Sequence, residues 1–304
     1  MSSDTARTAV PVPRATAARR ISSQLSRLRW LRLGLLLSAP LAWLVLVYVV
    51  ALASLLITAL WTVDSFTGDL DRSVWTFDNI RTVLTGSLYR TVTVRTIGIA
   101  LLVTVIDVLV ALPIAFYMAK VASPRLQRFL VIAVLTPLWA SYLVKAYAWR
   151  STLSDGGLIE WLGAPLGVQS PGYGLPAIVI TQAYIWLPYV ILPIYAGLER
   201  VPDSLLDASS DLGARTGQTV RSVMFPLLLP AIIAGSIFSF SLTLGDYITV
   251  NIVGGANQML GNLVYTNAGA ANNLPLAAAV ALIPITIMIV FLAAVRRTGA
   301  LENL

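Results

Sequence analysis

The chain has 304 residues, of which 57% are hydrophobic and 12% charged, and its formal net charge at pH 7 is +7. Because soluble domains are about one-quarter charged, this composition excludes an ordinary soluble protein and indicates a membrane protein. Cysteine and histidine are absent, which excludes a disulfide framework, a thiolate nucleophile and any metal or catalytic site that depends on histidine.

Six stretches have the roughly 20 apolar residues that a spanning helix needs. They are Leu33–Leu60, Thr91–Ala119, Phe129–Trp149, Leu175–Leu198, Leu227–Val250 and Leu274–Val295. The first follows a basic tail, residues 1–32, but is about twice as long as the core of a signal peptide, so we expect a retained crossing. The pattern predicts an all-α membrane protein with six transmembrane helices in one domain, residues 33–298. A short tail follows at 299–304.

The lysines and arginines are distributed unevenly between alternate loops. With the N-terminal tail inside, 15 of the 21 basic residues fall in inner segments. Cytoplasmic loops carry such an excess, so we expect both termini on the cytoplasmic side of the membrane. The membrane is expected to be a bacterial inner membrane. The outer loops are then 61–90, 150–174 and 251–273. This asymmetry accounts for the basic tail without a nucleic-acid partner.

One carboxylate lies within the second crossing. Asp107 is near its middle, where an ionisable group costs about 2.5–3.5 kcal/mol on insertion scales. Two interpretations stay open. Asp107 is a polar element of a translocation path, or its protonated form hydrogen-bonds a neighbouring helix.

The third crossing contains a serine and a lysine four residues apart, Ser141 and Lys145, on one helix face. An intramembrane hydrolase with a Ser–Lys dyad is one interpretation. No oxyanion-hole motif is recognisable, however, and a lysine near a helix end usually extends to the interface. We therefore predict that the chain is not an enzyme. Tyr142 and Trp149 of the same crossing are candidates for the substrate path, although membrane-interface belts also explain such aromatic residues.

A long polar segment, residues 199–226, separates crossings four and five. Pro202 and Asp203 favour a helix start, and Gly213 is placed to end that helix in a left-handed conformation. Leu205, Ala208 and Leu212 share one face of this helix. Asp207 and Asp211 stand four apart on another face, and Leu206 is a further apolar position. Thr216 is predicted to cap a second short helix before Pro226 opens crossing five.

The helix, glycine elbow and second helix form a rigid shape suited to docking into another protein; a solvated loop is the alternative. The segment has Asp207-Ala208-Ser209, then Gly213 after three residues, then Val223-Met224-Phe225-Pro226 after nine. This pattern resembles the cytoplasmic E-A-A loop of binding-protein-dependent ABC importer permeases. It departs from that loop by Asp for Glu, Ser for Ala, Val for Ile and Phe for Leu.

Two other stretches resemble the spermidine/putrescine-type branch of that family. They are TPLWASYLVKAYAWRSTLSDGGLIEWLG (136–163) and LGDYITVNIVGG (244–255), and residues 184–214, which run into the loop, also match that branch. The resemblance runs from about residue 77 to 297 and implies the type I ABC importer permease fold. It also implies that ATP and magnesium are bound by two separate ATPase subunits, with a second permease and an extracytoplasmic binding protein as further partners. The sequence has no G-x-x-x-x-G-K-[ST] motif of its own, so we predict no cofactor in this chain.

The resemblance implies that the loop transmits ATPase closure through Asp203, Leu206, Asp207, Ala208, Asp211, Gly213 and Pro226. Asp246 and Tyr247 of the LGDY motif pair a carboxylate with an aromatic ring, which suits a polyamine; a helix-packing polar pair is the alternative. Lys145 and Arg150 complicate a polycationic substrate. Three interpretations of these two residues stay open. They form ion pairs with Asp155 or Glu160, they contact a docking partner, or they indicate that the solute is anionic.

Two other functions remain as alternatives. One is the same importer class carrying an aminoalkyl-phosphonate, iron or another small solute. The other is a self-contained secondary transporter, which typically has inverted repeats. No repeat is visible in the sequence.

Overall fold

The protein is described from a computed structural model covering residues 29–64, 67–167 and 169–296. Most of the predicted basic tail (1–28), Arg297 and the predicted short tail 299–304 lie outside the described residues. Chain contacts divide the molecule into two units between Leu55 and Leu56. The first long helix belongs mostly to the first unit, and the packed core and both regions of interest lie in the unit from Leu56 onward.

The described residues are mostly helical. The α-helices are α1 Arg29–Ala59, α2 Asp78–Thr85, α3 Ser87–Phe116, α4 Pro124–Trp139, α5 Tyr142–Thr152, α6 Leu158–Gly163, α7 Leu175–Glu199, α8 Asp203–Asp211, α9 Thr216–Thr219, α10 Phe225–Gly245, α11 Ile248–Val253, α12 Leu260–Ala268 and α13 Leu274–Arg296. Two π-helical turns, Tyr117–Val121 and Val220–Met224, extend α3 and join α9 to α10, and a 3₁₀ turn covers Ala164–Leu166. Strands β1 (Thr62–Val63) and β2 (Leu70–Asp71) form an antiparallel pair with Thr62 opposite Asp71.

Within the described residues, five helices are long and apolar enough to cross a membrane, and there are six if a bent pair is counted as one span. The five are Leu36–Ala59, Ser87–Val121, Leu175–Glu199, Thr216–Gly245 and Leu274–Arg296. The predicted fold class, an all-α membrane protein, is confirmed.

The third predicted crossing, Phe129–Trp149, is wrong as a single continuous helix. Helices α4 and α5 together are long and apolar enough, but they bend by 94°. Ala140 and Ser141 at the break have extended backbone, with ψ 138° at both. Pro137 lies inside α4, two residues before its end, and its missing N–H removes the helical bond to the carbonyl of Ala133, which weakens the last turn.

The centre of the unit is formed by α3, α7 and α10, which pack on one another. Glycines allow α7 and α10 to approach closely. A Cβ added at Gly197 would lie 2.7 Å from the Cβ of Ala231, and one added at Gly235 would lie 3.0 Å from Val190. Small residues serve the same purpose at helix contacts in membranes, where dispersion rather than water exclusion holds helices together.

Helix α7 connects the two regions of interest. With 25 residues it is about 37 Å long at 1.5 Å per residue. At its N-terminal end the N–H of Gly174 donates to the carbonyl of Val253, beside α11. Its C-terminal end leads into α8 through Arg200, Val201 and Pro202. The predicted coupling segment and the LGDY motif are therefore at opposite ends of α7.

Candidate functional site

The predicted coupling segment, residues 199–226, is a helical elbow. Helix α8 begins after Pro202 and ends at Asp211, and α9 begins at Thr216 and continues through the π-helical turn into α10. The prediction that Thr216 caps the second helix is wrong. Arg215 is the capping residue, and its N–H donates to the side-chain oxygen of Gln218 at 2.9 Å.

The elbow is set by Gly213, whose φ of +76° confirms the predicted left-handed conformation. The N–H of Gly213 donates to the carbonyl of Ser210 at 2.9 Å. The N–H of Ala214 donates to the carbonyl of Ser209 at 3.1 Å. This pair of bonds is the Schellman motif, which satisfies the last carbonyls of α8 and fixes the direction in which the chain leaves it.

Helix α8 has a held face and a free face. On the held face Leu206 packs against the core around Leu198 and Met224, and the hydroxyl of Ser209 shares a 2.9 Å hydrogen bond with Thr219. The free face carries the apolar residues that the sequence placed together, Leu205, Ala208 and Leu212. Leu212 is 89% exposed. A leucine that exposed on a polar segment offers apolar area to a partner.

The predicted coupling carboxylates differ in their surroundings. Asp207 and Asp211 are exposed. Asp203 forms a 2.7 Å salt bridge with Lys120, which also donates to the carbonyl of Val201 at 2.7 Å. Lys120 was not among the predicted site residues. It follows α3 in a π-helical turn, which no sequence periodicity revealed.

Pro226 lies at the mouth of a cavity between α7 and α10. The cavity has a volume of about 530 Å³, and Pro202 and Leu205 of the coupling segment line it with Pro226. Arg200 is a charged residue on its wall. The cavity thus joins the elbow to the contact between α7 and α10.

At the other end of α7, four side chains form what we call the polar cluster: Tyr142, Gln182, Asp246 and Thr249. The Tyr142 hydroxyl donates to Oδ2 of Asp246 at 2.6 Å, and the Gln182 amide donates to the same oxygen at 3.0 Å. Oδ1 accepts the backbone N–H groups of Ile248 at 2.9 Å and Thr249 at 3.1 Å. Tyr142 also shares a hydrogen bond with the Thr249 hydroxyl.

The polar cluster stabilises a break in the fifth crossing. That crossing was predicted as one helix, Leu227–Val250, and the structure has two. That crossing ends at Gly245, Asp246 is extended, and α11 starts at Ile248. Asp246 satisfies the first N–H groups of α11 and connects them to α5 and α7. Its side chain is 7% exposed and both its oxygens accept hydrogen bonds from the chain. A contact between Asp246 and substrate stays a prediction.

The other predicted path residues are dispersed around the bundle. Asp107 of α3 is fully buried and accepts a hydrogen bond from the Ser239 hydroxyl of α10. Tyr247 stacks on Tyr265 with ring centroids 4.8 Å apart. Trp149 lies 5.3 Å from the ring of Tyr184. The structure brings Tyr142 and Asp246 together, but not these three.

The three central helices contain buried polar atoms without partners in the described part of the chain, and apart from Asp107 their residues were not predicted from the sequence. Within the described residues, several buried polar atoms of α3, α7 and α10 have no hydrogen-bond partner in the chain: Asp107 Oδ1, Thr181 Oγ1, Gln182 Oε1, Trp186 Nε1 and Thr243 Oγ1. Buried polar atoms normally have partners. Hydrogen-bonding capacity is therefore left over along this face of the bundle.

The basic residues of the third crossing have no acidic partner in the part of the chain described. Arg150 donates to the carbonyl of Ile252 at 3.2 Å and lies over the Tyr173 ring. The Glu160 carboxylate accepts the N–H of Gly156 at 2.8 Å. Lys145 is half-buried on α5. A hydrolase dyad would require a hydrogen bond between the side chains of Ser141 and Lys145. Among the described residues no such bond is present.

Comparison with known proteins gives consistent results. Residues 100–298 match the family model described as "Binding-protein-dependent transport system inner membrane component". The chain is 43% identical over 289 residues to the inner membrane ABC transporter permease protein YdcU of Escherichia coli K12, covering 90% of this chain and 92% of that protein. It is 30% identical over 201 residues to the spermidine/putrescine transport system permease protein PotB of the same organism, covering 64% of this chain and 71% of PotB.

A solved structure supports the fold independently. A chain of the bacterial alginate ABC transporter, crystallised with an alginate-bound periplasmic protein, superposes with a TM-score of 0.64. The match covers 90% of this chain and 94% of that chain, at 15% sequence identity.

Proposed function

The chain belongs to the family of binding-protein-dependent transport system inner membrane components, and from this premise we propose how it works within an importer. It is a non-catalytic permease subunit of an ABC transporter in the inner membrane. We propose that α8 is the helix through which cytoplasmic ATPase subunits move the bundle. ATP and magnesium are bound by those subunits and not by this chain.

The free face of α8 is the observation that carries this proposal. A nine-residue helix is too short to be stable alone. It is fixed at one end by the left-handed Gly213 and on one side by Leu206 and Ser209. It nevertheless leaves Leu205 and Leu212 exposed, an arrangement that suits insertion into a groove on a second protein. The salt bridge between Asp203 and Lys120 holds the other end, so that a push on α8 would reach the bundle.

The remaining partners follow from this placement. We propose that α8 and both termini are cytoplasmic, as the distribution of basic residues predicts. The segments at the opposite end of α7, including 150–174, then face a binding protein outside. A second permease, encoded by a different gene, completes the translocation path.

For the substrate we propose a polyamine such as spermidine or putrescine. Its support is the 30% identity to PotB and a row of aromatic rings in this chain. Tyr142 stacks on Trp186 at 5.7 Å, Trp186 lies 6.1 Å from Tyr189, and Tyr189 lies 6.4 Å from Phe238. Successive ring faces suit ammonium groups. A different small solute remains the second candidate, because the half-buried Lys145 favours an anionic group.

Purification of the chain from its native membrane tests the assembly. We expect two ATPase subunits, a second permease and a binding protein in the same complex. The same complex without any ATPase would contradict the proposal. Replacing Asp207 by Lys should abolish coupled uptake while the bundle stays in the membrane, and wild-type uptake by that variant would count against α8 as the coupling helix.

Uptake in proteoliposomes tests the substrate. We expect uptake of a labelled polyamine to be reduced by unlabelled spermidine or putrescine and not by an aminoalkyl-phosphonate. The reverse pattern would indicate that the substrate is an anionic solute and not a polyamine. Asp246→Asn is predicted to reduce polyamine uptake more than assembly. If uptake and the amount of assembled protein fall equally, Asp246 only stabilises the break between α10 and α11 and has no separate role in transport.

A further inference from the structure

Lys120 connects the coupling segment to a helix that is remote from it in sequence. Its ammonium group lies 2.7 Å from the carbonyl oxygen of Val201 and 2.7 Å from Oδ1 of Asp203. These two acceptors stand on either side of Pro202, the residue at which the chain turns into α8. One side chain therefore holds both sides of that turn.

The geometry of this contact is unlike that of an ordinary surface ion pair. The Lys120 side chain is only 10% exposed, whereas the Asp203 side chain is 79% exposed. A pair with one partner in water contributes little through charge alone. The carbonyl of Val201 is different, because Val201 is buried and its oxygen lies outside any helix. Without Lys120 that oxygen would lose its charged donor.

Lys120 is positioned by a local change of helix type. The α-helical pattern of α3 stops at Phe116, and the next five residues form a π-helical turn. Such a turn inserts a residue and re-aims the side chains that follow, and it is frequent at functional sites. Met118 in this turn packs in the same core as Leu198 and Val201. The turn is thereby anchored while Lys120 reaches the start of α8.

The contact completes a set of three attachments. The chain itself joins α8 to α7 through residues 200–202, and to α10 through α9. Among the described residues, the ammonium of Lys120 joins it by hydrogen bonds to the long helix Ser87–Val121, whose buried Asp107 meets Ser239 of α10. We propose that Lys120 is a positioning residue that makes α3 follow the movement of α8. This inference rests on the proposed role of α8 as the coupling helix.

Hydrogen exchange measured by mass spectrometry on the assembled transporter in lipid nanodiscs, without nucleotide, tests the attachment. In Lys120→Met, which keeps the apolar stem and removes the charge, we expect exchange of segments 200–212 and 117–121 to rise by about tenfold. Lys120→Arg retains a donor for both acceptors and should restore slow exchange. Asp203→Asn should change exchange little, because the link to the Val201 carbonyl persists.

Transport by the same variants, reconstituted in proteoliposomes, tests the consequence. Lys120→Met is expected to lower solute imported per ATP hydrolysed by about tenfold, and Lys120→Arg to restore it. Arg128→Gln is the matched control: it removes an exposed cation of α4 whose guanidinium, among the described residues, donates to the carbonyl of Pro124 in its own helix. Unchanged exchange in Lys120→Met would overturn the inference, as would faster exchange with unchanged coupling, or equal effects in Arg128→Gln.

Exchange separates this inference from the proposed function. The attachment exists without nucleotide, so its loss is visible even if α8 binds no ATPase. If exchange rises as expected but Asp207→Lys has wild-type uptake, the proposed function fails and the attachment remains. If Asp207→Lys abolishes uptake and Lys120→Met behaves like wild type, the attachment fails and the proposed function remains.

Discussion

The coupling segment and the polar cluster are both polar regions of an apolar chain, yet they treat their polar groups in opposite ways. In the coupling segment Asp207, Asp211 and the apolar Leu212 are exposed, and few of their contacts lie within the chain. In the polar cluster Asp246 is buried, and four donors of the chain surround its carboxylate. We propose that a partner covers the exposed groups of the first region, whereas in the second the chain itself supplies the donors around the carboxylate. An acidic residue in a motif therefore does not by itself identify a binding site.

Of the substitutions that test this difference between the two regions, Asp246→Leu is expected to have the largest effect on stability. The hydroxyl of Tyr142, the amide of Gln182 and two N–H groups of α11 would lose their acceptor. We expect the free energy of unfolding to fall by about 3 kcal/mol or more, measured as a lower melting temperature in detergent. Ser241→Ala, which removes a hydroxyl bonded to its own helix, is the control and should be nearly neutral.

Gly213→Pro should act in the coupling segment and spare the bundle. Proline cannot adopt a φ of +76° and would remove the N–H that donates to Ser210. We expect a local loss of about 3 kcal/mol at the elbow and loss of coupled uptake, with melting of the bundle little changed. Gly217→Ala is the matched control, because an added Cβ there meets open space on a right-handed backbone. Coupled uptake by Gly213→Pro would contradict the elbow's role.

Leu212→Ser tests whether the free face of α8 binds a partner. Leu212 has little area to lose within the chain, so the melting temperature should stay the same. We expect binding to the ATPase subunits to weaken by about tenfold, measured by co-purification across a concentration series. Leu166 is 83% exposed in the segment 150–174, and Leu166→Ser should leave that affinity unchanged. Equal effects of the two variants would remove α8 as the docking surface.

Lys145→Arg should have the smallest effect. Lys145 lies one turn after Tyr142 on α5, and its ammonium makes no hydrogen bond to the polar cluster among the described residues. Uptake is expected to stay within about twofold of wild type, because the charge is kept. A Ser–Lys hydrolase would lose all activity with this change. A large loss of uptake would instead indicate that Lys145 acts together with the residues of the polar cluster.

Much of the fold follows from the sequence because lipid imposes a length on every crossing. The conformation of Gly213 was predictable for a similar reason, since few other residues take a left-handed backbone. The 94° bend was not, because Pro137 indicates a kink but not its angle. In the polar cluster Asp246 meets Gln182 and Tyr142, which lie 64 and 104 positions away in sequence, and Lys120 lies 83 positions from Asp203. Such contacts depend on packing that no local pattern contains.

The corner between α4 and α5 has a consequence for how deeply the chain sits in the bilayer. Helix ends leave amide and carbonyl groups without helical partners, and hydrocarbon offers them none. Trp139, the last residue of α4, is 87% exposed at this corner, and tryptophan favours the headgroup layer. We therefore expect the corner to lie at the level of the headgroups, which would set how much of α5 leaves the hydrocarbon.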